Sequence, residues 1–259
     1  MMEDYEGVII WDLPSQIRNR YLKYCFSHSI RCYMSPKISD IILLGTDRIH
    51  LFDTPLLMCR NQGLSMEQRA AKRVLDIIVS GLGIIVSSPI MLIIAIAVKA
   101  YDGGPVFYLQ DRLTYQGKEF RIRKFRSMCV DSEKNGARLA SKHDSRIIAG
   151  DVLRNLHLDE LPQLFNVFMG DMSLVGPRPE RDVIMQEYEQ EIPEFHYRLK
   201  VKAGLTGYAQ VYGKYNTTPY DKLKLDLFYI ENYSFLLDIK LLFMTVKIFF
   251  QKRSFRGRG

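Results

Sequence analysis

The chain lacks the cysteine and histidine patterns that build disulfide frameworks and zinc sites. Its four cysteines, Cys25, Cys32, Cys59 and Cys129, are scattered without a CxxC pair, and no histidines are clustered. Structural zinc sites need ligands at short, regular spacings, and disulfides need an oxidising compartment. We therefore interpret the cysteines as reduced thiols in a cytosol-facing protein.

Signal-peptide features, internal repeats and low-complexity tracts are also missing. The first residues, MMEDYEGVII, have no basic start followed by a long apolar core and a small-residue cleavage site. The balance of 36 Lys and Arg against 29 Asp and Glu gives a net charge of +7. That charge indicates an anionic neighbour, whether nucleic acid, lipid head groups or a phosphorylated substrate.

Residues 1–66 predict a partial α/β module. The pattern predicts a strand at 8–11, a helix over 15–28, a second strand at 31–34 and a short irregular end. So small a sheet leaves unpaired edges, so it must pack on the rest of the chain, pair with another copy in a homo-oligomer, or be a remnant. We favour a remnant. Residues 67–100 then form a linker and a membrane helix that starts near Met66.

The longest uncharged stretch runs from Ile77 to Val98, 22 residues without a charged side chain. As a straight helix it would be about 33 Å long, enough to reach across a bilayer. Because soluble helices seldom stay apolar on every face for so long, we predict a membrane segment over a buried helix of a soluble core.

Ser88 and Pro89, preceded by Ser87, lie at the middle of this segment. Proline removes a backbone hydrogen bond, and serine hydroxyls can satisfy the freed carbonyls, so we predict a kink there. Basic residues flank both ends of the segment, which favours the cytoplasmic side for both. A re-entrant helix that bends at Ser88 and Pro89 satisfies both observations. A proline-kinked spanning helix is the alternative.

Residues 101–259 predict a compact α+β catalytic domain lying against the membrane. Its last segment, 235–250, is apolar at 12 of 16 positions and predicts a helix buried partly in protein and partly in the interface. The tail QKRSFRGRG offers four cations to anionic lipid, unless it is a disordered tail without that role.

Asp159 and Glu160 form the strongest candidate site. A helix is predicted over 160–169, because one helical face carries four apolar residues: Leu161, Leu164, Phe165 and Phe168. With Asp159 as its N-cap, Pro162 falls in the first turn, where proline is tolerated. The helix terminus would then depress the pKa of the carboxylates, leaving Asp159 ionised as a nucleophile. The alternative is that Asp159 is only a cap and Glu160 a solvated residue.

Two arginines flank this pair, Arg154 before it and Arg178 in the stiff loop GPRPE. Guanidinium groups match phosphate oxygens with paired hydrogen bonds, which suits a diphosphate ester. Because two carboxylates would repel that substrate, we expect Mg²⁺ bound by Asp159 and Glu160 and bridging to the phosphate oxygens.

From about Lys72 to Phe250 the chain resembles the bacterial sugar transferase family, the monotopic polyprenol-phosphate phosphoglycosyl transferases. The matching segments include KRVLDIIVSG, GGPVFYLQDR, FRIRKFRSM, LDELPQLFNVFMGDMSLVGPRPE, AGLTGYAQVYG and LDLFYIENYSFLLDIK. The first sixty-odd residues resemble the back half of the Rossmann-like module that precedes this domain in larger members.

The resemblance implies that Asp159 attacks the β-phosphate of a UDP-sugar, releasing UMP, and that polyprenol (undecaprenyl) phosphate then takes the sugar 1-phosphate. Glu160 would be its acid/base or metal-binding partner. Phosphate or nucleotide contacts would come from Arg154, Arg178, Lys124 and Arg126. It also implies a monotopic enzyme at the cytoplasmic face of the bacterial inner membrane that initiates polysaccharide or glycoconjugate assembly.

Three departures from the family pattern stand out. Ala203 replaces a common proline before GLTG, DRLT at 111–114 replaces the usual ERVG, and Asp151 stands where a basic residue is common. A membrane scaffold or regulator without turnover is the alternative function. A nucleic-acid-binding role is not expected, because no reading helix or stacking sheet is recognisable. The sequence does not reveal the sugar.

Overall fold

The computed structural model describes residues 5–59, 63–127, 152–214 and 216–256. The chain divides into two compact units, residues 1–59 and 60–259. Helix and strand are mixed in both units, in agreement with the predicted α+β class.

The first unit begins with a parallel β-α-β arrangement, as predicted. Strand β1 (Val8–Ile10) pairs with β2 (Cys32–Met34), and helix α1 (Ser15–Ser27) connects them. Arg18 of α1 is buried and forms an ion pair with Asp40, which joins α1 to the segment after β2. Whether this unit is Rossmann-like stays a prediction.

The predicted irregular end of this unit is wrong. Helix α2 (Ile38–Leu44) is followed by an antiparallel hairpin of β3 (Asp47–Leu51) and β4 (Thr54–Met58). The Asp40 carboxylate accepts the Lys37 backbone N–H at 2.8 Å and so caps α2. Sequence reasoning missed the hairpin because its short strands do not alternate cleanly between polar and apolar residues.

The second unit starts with the long helix α3 (Met66–Asp102), confirming the predicted start. Ser65 and Gln68 form a reciprocal capping box at its first turn. By length and composition α3 can cross a membrane. It stays helical through Pro89, and the Ser88 hydroxyl donates to the Ile85 carbonyl at 2.8 Å. That is the carbonyl which Pro89, having no N–H, leaves free.

The remaining elements form a small α+β globule on α3. Its strands are β5 (Phe107–Leu113) and β6 (Glu119–Phe125), an antiparallel hairpin, and β7 (Ser173–Val175) and β8 (Gly204–Thr206), a parallel pair. Its helices are α4 (Val152–Asn155), α5 (Gln163–Met169), α6 (Asp182–Glu191), α7 (Tyr208–Tyr212), α8 (Pro219–Glu231) and α9 (Phe235–Arg256). Short 3₁₀ segments cover Tyr115–Gly117, Leu158–Glu160 and Pro193–Lys200.

This globule packs against both halves of α3. In the first half, buried Lys72 donates to Asp238 of α9 and to Tyr229 of α8. In the second half, the core contains five buried residues: Met91, Ile94, Val98, Phe125 and Leu153. The other face of α3 exposes a set of large apolar side chains that includes Ile78, Leu82, Ile85, Val86, Leu92, Ile93 and Ile96. One face of α3 is therefore covered by protein while the opposite face is apolar and bare.

The last helix, α9, also has two kinds of surface. Asp238 and Leu241 are fully buried, whereas Leu236 and Phe243 are largely exposed. This agrees with a helix that is partly buried in protein, and its contact with a membrane interface stays a prediction.

Candidate active site

The acidic pair lies in a 3₁₀ turn that is tied down by apolar neighbours. His157 adopts a left-handed conformation, with φ of 52°, and turns the chain from α4 into the segment Leu158–Glu160. Leu158 and Leu161 on either side of the pair pack against the core cluster of the second half of α3. The two carboxylates are thereby held over α3 by burial of the leucines that flank them.

The predicted helix start at Glu160, with Asp159 as N-cap, is wrong. α5 begins at Gln163 with Pro162 as its N-cap residue, so Asp159 and Glu160 belong to the 3₁₀ turn before it. The apolar periodicity of 161–168 was a correct sign of a helix in this segment. It could not locate the first turn, because a 3₁₀ turn followed by an α-helix buries nearly the same side chains.

Glu160 is clamped between two cations. The Lys124 Nζ on β6 donates to its Oε1 at 2.7 Å, and the Arg178 Nη2 donates to the same oxygen at 3.1 Å. Burial alone would raise the pKa of Glu160, but the charges of Arg178 and Lys124 outweigh it and lower the pKa to about 2. Glu160 is therefore an ionised carboxylate at any physiological pH.

Asp159 has the opposite environment, and the expected depression of its pKa is wrong. Burial raises its pKa, and the negative charge of Glu160 raises it further, while Lys124 lowers it. Among the described residues Asp159 forms no ion pair and receives no side-chain hydrogen bond. The two adjacent carboxylates therefore differ: Lys124 and Arg178 neutralise Glu160, whereas no described side chain occupies the oxygens of Asp159.

The GPRPE loop that presents Arg178 is braced from behind. Arg198, buried in the protein, donates from Nη2 to the Arg178 carbonyl at 3.0 Å and pairs with Asp226 at 2.8 Å. Arg112 of β5 donates to the Pro179 carbonyl at 3.2 Å. Burial raises the pKa of the wholly enclosed Asp226 to about 6. Sequence reasoning missed these residues, because nothing in their local pattern shows that they meet the loop.

Glycines let this loop approach β8 closely. A Cβ on Gly204 would lie 2.1 Å from the Gly176 nitrogen, and one on Gly207 would lie 2.1 Å from the Gly176 oxygen. No side chain fits at either contact, which explains why AGLTG carries glycine at both positions.

Arg154 and Arg126 belong to segments that pack against the 3₁₀ turn of the acidic pair, but their described hydrogen bonds go elsewhere. Arg154 donates from Nε to the Ser127 hydroxyl at 3.0 Å. Arg126 is buried, and its Nε donates to the Pro105 carbonyl at 2.7 Å. Their roles in phosphate binding stay predictions. Ser88 and Pro89 lie on α3, while Asp151 and Cys129 fall outside the described residues.

A profile of the bacterial sugar transferase family matches residues 67–252. The chain belongs to this family. A UDP-N-acetylgalactosamine-undecaprenyl-phosphate N-acetylgalactosaminephosphotransferase of Aeromonas hydrophila is 43% identical over 232 residues, which cover 88% of this chain and 54% of that protein. A UDP-glucose:undecaprenyl-phosphate glucose-1-phosphate transferase of Klebsiella pneumoniae is 42% identical over 208 residues, covering 78% and 43%.

An undecaprenyl-phosphate galactose phosphotransferase of Salmonella typhimurium is 37% identical over 232 residues, 82% of this chain and 48% of that relative. The chain therefore spans about half the length of these curated relatives. Their names specify three different sugars.

Two departures from the family pattern contact each other. The Ala203 backbone N–H donates to the Thr114 hydroxyl at 3.1 Å, and both residues are buried. The usual proline at 203 has no N–H to donate, and the usual glycine at 114 has no hydroxyl to accept. The two changes therefore compensate for each other, and the Thr114 hydroxyl further donates to the Asp171 carbonyl at 3.1 Å.

The expected Mg²⁺ is compatible with the acidic pair. The described residues contain no cluster of three or more Asp, Glu, His or Cys side chains that could hold a metal alone. Mg²⁺ commonly takes only one or two protein carboxylates and completes its shell with water and substrate phosphates. Asp159 and the Glu160 oxygen not engaged by Lys124 and Arg178 could serve as such a small set of hard ligands.

Proposed function

We propose that this chain is a phosphoglycosyl transferase that moves a sugar 1-phosphate from a UDP-sugar to polyprenol (undecaprenyl) phosphate. The observation that carries the proposal is the Asp159 carboxylate, which has no ion pair with any described residue, beside a Glu160 that two cations hold ionised. Family membership and the names of the relatives support the reaction class.

In the first half-reaction an Asp159 carboxylate oxygen attacks the β-phosphorus of the UDP-sugar. The bond from that phosphorus to the bridging oxygen breaks, and UMP departs with the electron pair. The product is an acyl phosphate joining Asp159 to the sugar phosphate. In the second half-reaction a phosphate oxygen of the lipid attacks the same phosphorus, the bond to Asp159 breaks, and the carboxylate is regenerated.

The neighbouring charges suit this sequence of steps. Arg178 engages Glu160 through one nitrogen, and its side chain is 52% exposed, so it still has donors for phosphate oxygens. Lys124 adds a second positive charge beside the pair. When bound, Mg²⁺ would be held by Asp159 and Glu160 and would offset the charge of the phosphates.

The packing of α3 supports a monotopic placement, and the basic residues that flank both ends of its uncharged stretch favour the cytoplasmic face. One polar globule contacts Lys72 near its start and Val98 near its end, whereas a straight spanning helix would place these ends about 30 Å or more apart on opposite faces. A bend at Ser88 and Pro89 would return both ends to one face. Single cysteines at Met66 and Tyr101 should label from the same side, and labelling from opposite sides would exclude this topology.

Purified full-length protein with UDP-sugar and polyprenol phosphate should release UMP. Asp159→Asn should lower that rate by about a thousandfold or more, because a side-chain amide is not a nucleophile here. Asp182→Asn, an exposed acid on α6, is the matched control. With donor alone, mass spectrometry should find a phosphosugar on Asp159. Lipid product without that adduct would refute the covalent route, and a panel of UDP-sugars identifies the donor.

A further inference from the structure

The GPRPE loop can make few hydrogen bonds of its own. Pro177 and Pro179 have no backbone N–H, and each restricts the residue before it to extended conformations. Arg178 stands between these two prolines, in the segment that joins β7 to α6. Because buried backbone carbonyls need hydrogen-bond partners, the carbonyls of this loop must find donors elsewhere in the fold.

Four consecutive carbonyls of the loop, those of residues 177–180, accept such hydrogen bonds, and backbone groups supply the outer two. The Gly204 N–H of β8 donates to the Pro177 carbonyl at 2.8 Å, and the Leu113 N–H of β5 donates to the Glu180 carbonyl at 3.0 Å. Each donor lies in a paired strand. These two contacts therefore depend on the backbone alone.

The inner two carbonyls are held by side chains. Arg198 donates from Nη2 to the Arg178 carbonyl at 3.0 Å, and Arg112 donates from Nη1 to the Pro179 carbonyl at 3.2 Å. A guanidinium thus orients the peptide group that follows the Cα of Arg178. This contact, unlike the two made by backbone, can be removed by a single substitution.

The side chain of Arg178 has little packing to hold it in place. It is 52% exposed, and its Nη2 donates to the Glu160 Oε1 at 3.1 Å. The position of its guanidinium beside the acidic pair therefore depends on the direction in which the backbone at residue 178 presents it. An error of about 1 Å in the placement of such a group can lower a rate by about a hundredfold.

Arg198 itself is buried with a carboxylate partner. Its Nη2 pairs with Asp226 of α8 at 2.8 Å, and its Nη1 lies 3.6 Å from the Glu180 Oε1. Both Arg198 and Asp226 are enclosed by protein. A buried ion pair often stabilises a fold no better than apolar residues of similar volume. Apolar packing could not, however, supply the N–H donor that is directed at the Arg178 carbonyl.

We propose that Arg198, held by Asp226, is a positioning residue for the Arg178 guanidinium in the transfer reaction. Arg198 is enclosed behind the loop, so it acts through Arg178 and does not touch the substrate. By fixing the backbone of Arg178 in advance, it reduces the ordering that phosphate binding would otherwise require. The inference rests on the proposed function, because it takes Arg178 to contact the phosphates of the UDP-sugar.

The role requires a guanidinium and not only a positive charge. Arg198 uses two nitrogens to reach three acceptors, which lie on Arg178, Glu180 and Asp226. Lysine has a single nitrogen and lacks the planar fork. Arg198→Lys therefore keeps a cation beside Asp226 while it loosens the hold on the loop, which separates geometry from charge.

The kinetic test uses UMP release by the full chain with UDP-sugar and polyprenol phosphate. Arg198→Lys should lower kcat/KM for the UDP-sugar by about tenfold to a hundredfold. In an Arg178→Met background the same substitution should change kcat/KM by less than about twofold, because no guanidinium remains to be positioned. A purely structural role would produce the same fold loss in both backgrounds.

A matched control is Arg18→Lys in the first unit. Arg18 is also buried and paired with an aspartate, Asp40, but it belongs to a different unit from the loop. Arg18→Lys should lower the melting temperature and leave kcat/KM unchanged. Should Arg198→Lys not fold, Asp226→Asn loosens Arg198 more gently. It should lower kcat/KM by about fivefold, again only when Arg178 is present.

Hydrogen exchange measured by mass spectrometry tests the positioning without turnover. The peptide covering residues 173–182 contains the Gly176 N–H, which donates to the Thr206 carbonyl at 2.8 Å. Exchange in this peptide should be faster in Arg198→Lys than in wild type, because the loop opens more often. Exchange over residues 15–27 of the first unit should be the same in both proteins.

The outcomes separate this inference from the proposed function. If wild type releases UMP but Arg198→Lys causes equal fold losses with and without Arg178, the positioning role is refuted and the proposed function stands. If wild type releases no UMP from any UDP-sugar, the proposed function is refuted. Unchanged exchange in residues 173–182 of Arg198→Lys would overturn the inference in either case.

Discussion

Removing Lys124 should destabilise the protein through Glu160, and the size of the effect follows from the cluster. Both side chains are largely buried, with 20% of Lys124 and 17% of Glu160 exposed, and the contact is 2.7 Å. The pKa of Glu160 falls from 4.5 to about 2 on folding. Such a shift corresponds to about 3 kcal/mol of stability for the ionised form.

Lys124 and Arg178 share that contribution, so Lys124→Met should lower the free energy of unfolding by about 1.5 kcal/mol at pH 7. For a unit of this size the melting temperature should fall by about 3 to 6 °C. Because the folded pKa of Glu160 is depressed, this stabilisation is complete above pH 4.5 and is lost as the pH falls toward about 2. Measurements near neutral pH therefore record the whole effect.

The matched control is Arg121→Met on the same strand. Arg121 pairs with Asp111 at 3.4 Å, but the two side chains are 73% and 67% exposed, so their loss should move the melting temperature by less than about 2 °C. In a Glu160→Gln background, Lys124→Met should lower the free energy of unfolding much less than it does in the wild type. A double-mutant cycle measures this difference. Equal losses for Lys124→Met and Arg121→Met, or a coupling energy near zero, would refute the reasoning.

Two further predictions concern buried polar contacts. Thr114→Gly should lower the melting temperature by about 2 to 6 °C, because it leaves the Ala203 N–H buried without an acceptor. Adding Ala203→Pro removes that N–H and should recover much of the loss. A further decrease in the double variant would contradict the compensation. Burial raises the pKa of Asp226 from 3.8 to about 6, so its ionisation opposes folding, and its contribution to stability should decline as the pH rises from about 4 toward about 6. Asp226→Asn should flatten the melting temperature against pH in that window, and unchanged slopes would show that the carboxyl does not titrate there.

The candidate site was partly predictable because its residues fall in a short segment with strong local signals. Asp159, Glu160 and Arg178 all lie within LDELPQ to GPRPE, and the structure brings Glu160 and Arg178 to 3.1 Å. Lys124 also joins them, from a strand more than thirty residues earlier. Arg198 and Asp226 carried no such signal, since their importance comes only from lying behind the loop.

The amino-acid sequence by itself determined the long apolar helix, the β-α-β start and the family, because uncharged length, apolar periodicity and dense motifs are local properties of the chain. Only the tertiary structure decided which carboxylate is clamped and which is left available. That difference arises from cations contributed by distant segments and from burial, and it reversed the expected pKa shift of Asp159. Local patterns cannot supply it, because electrostatic environment depends on what the fold brings within a few ångströms of a charge.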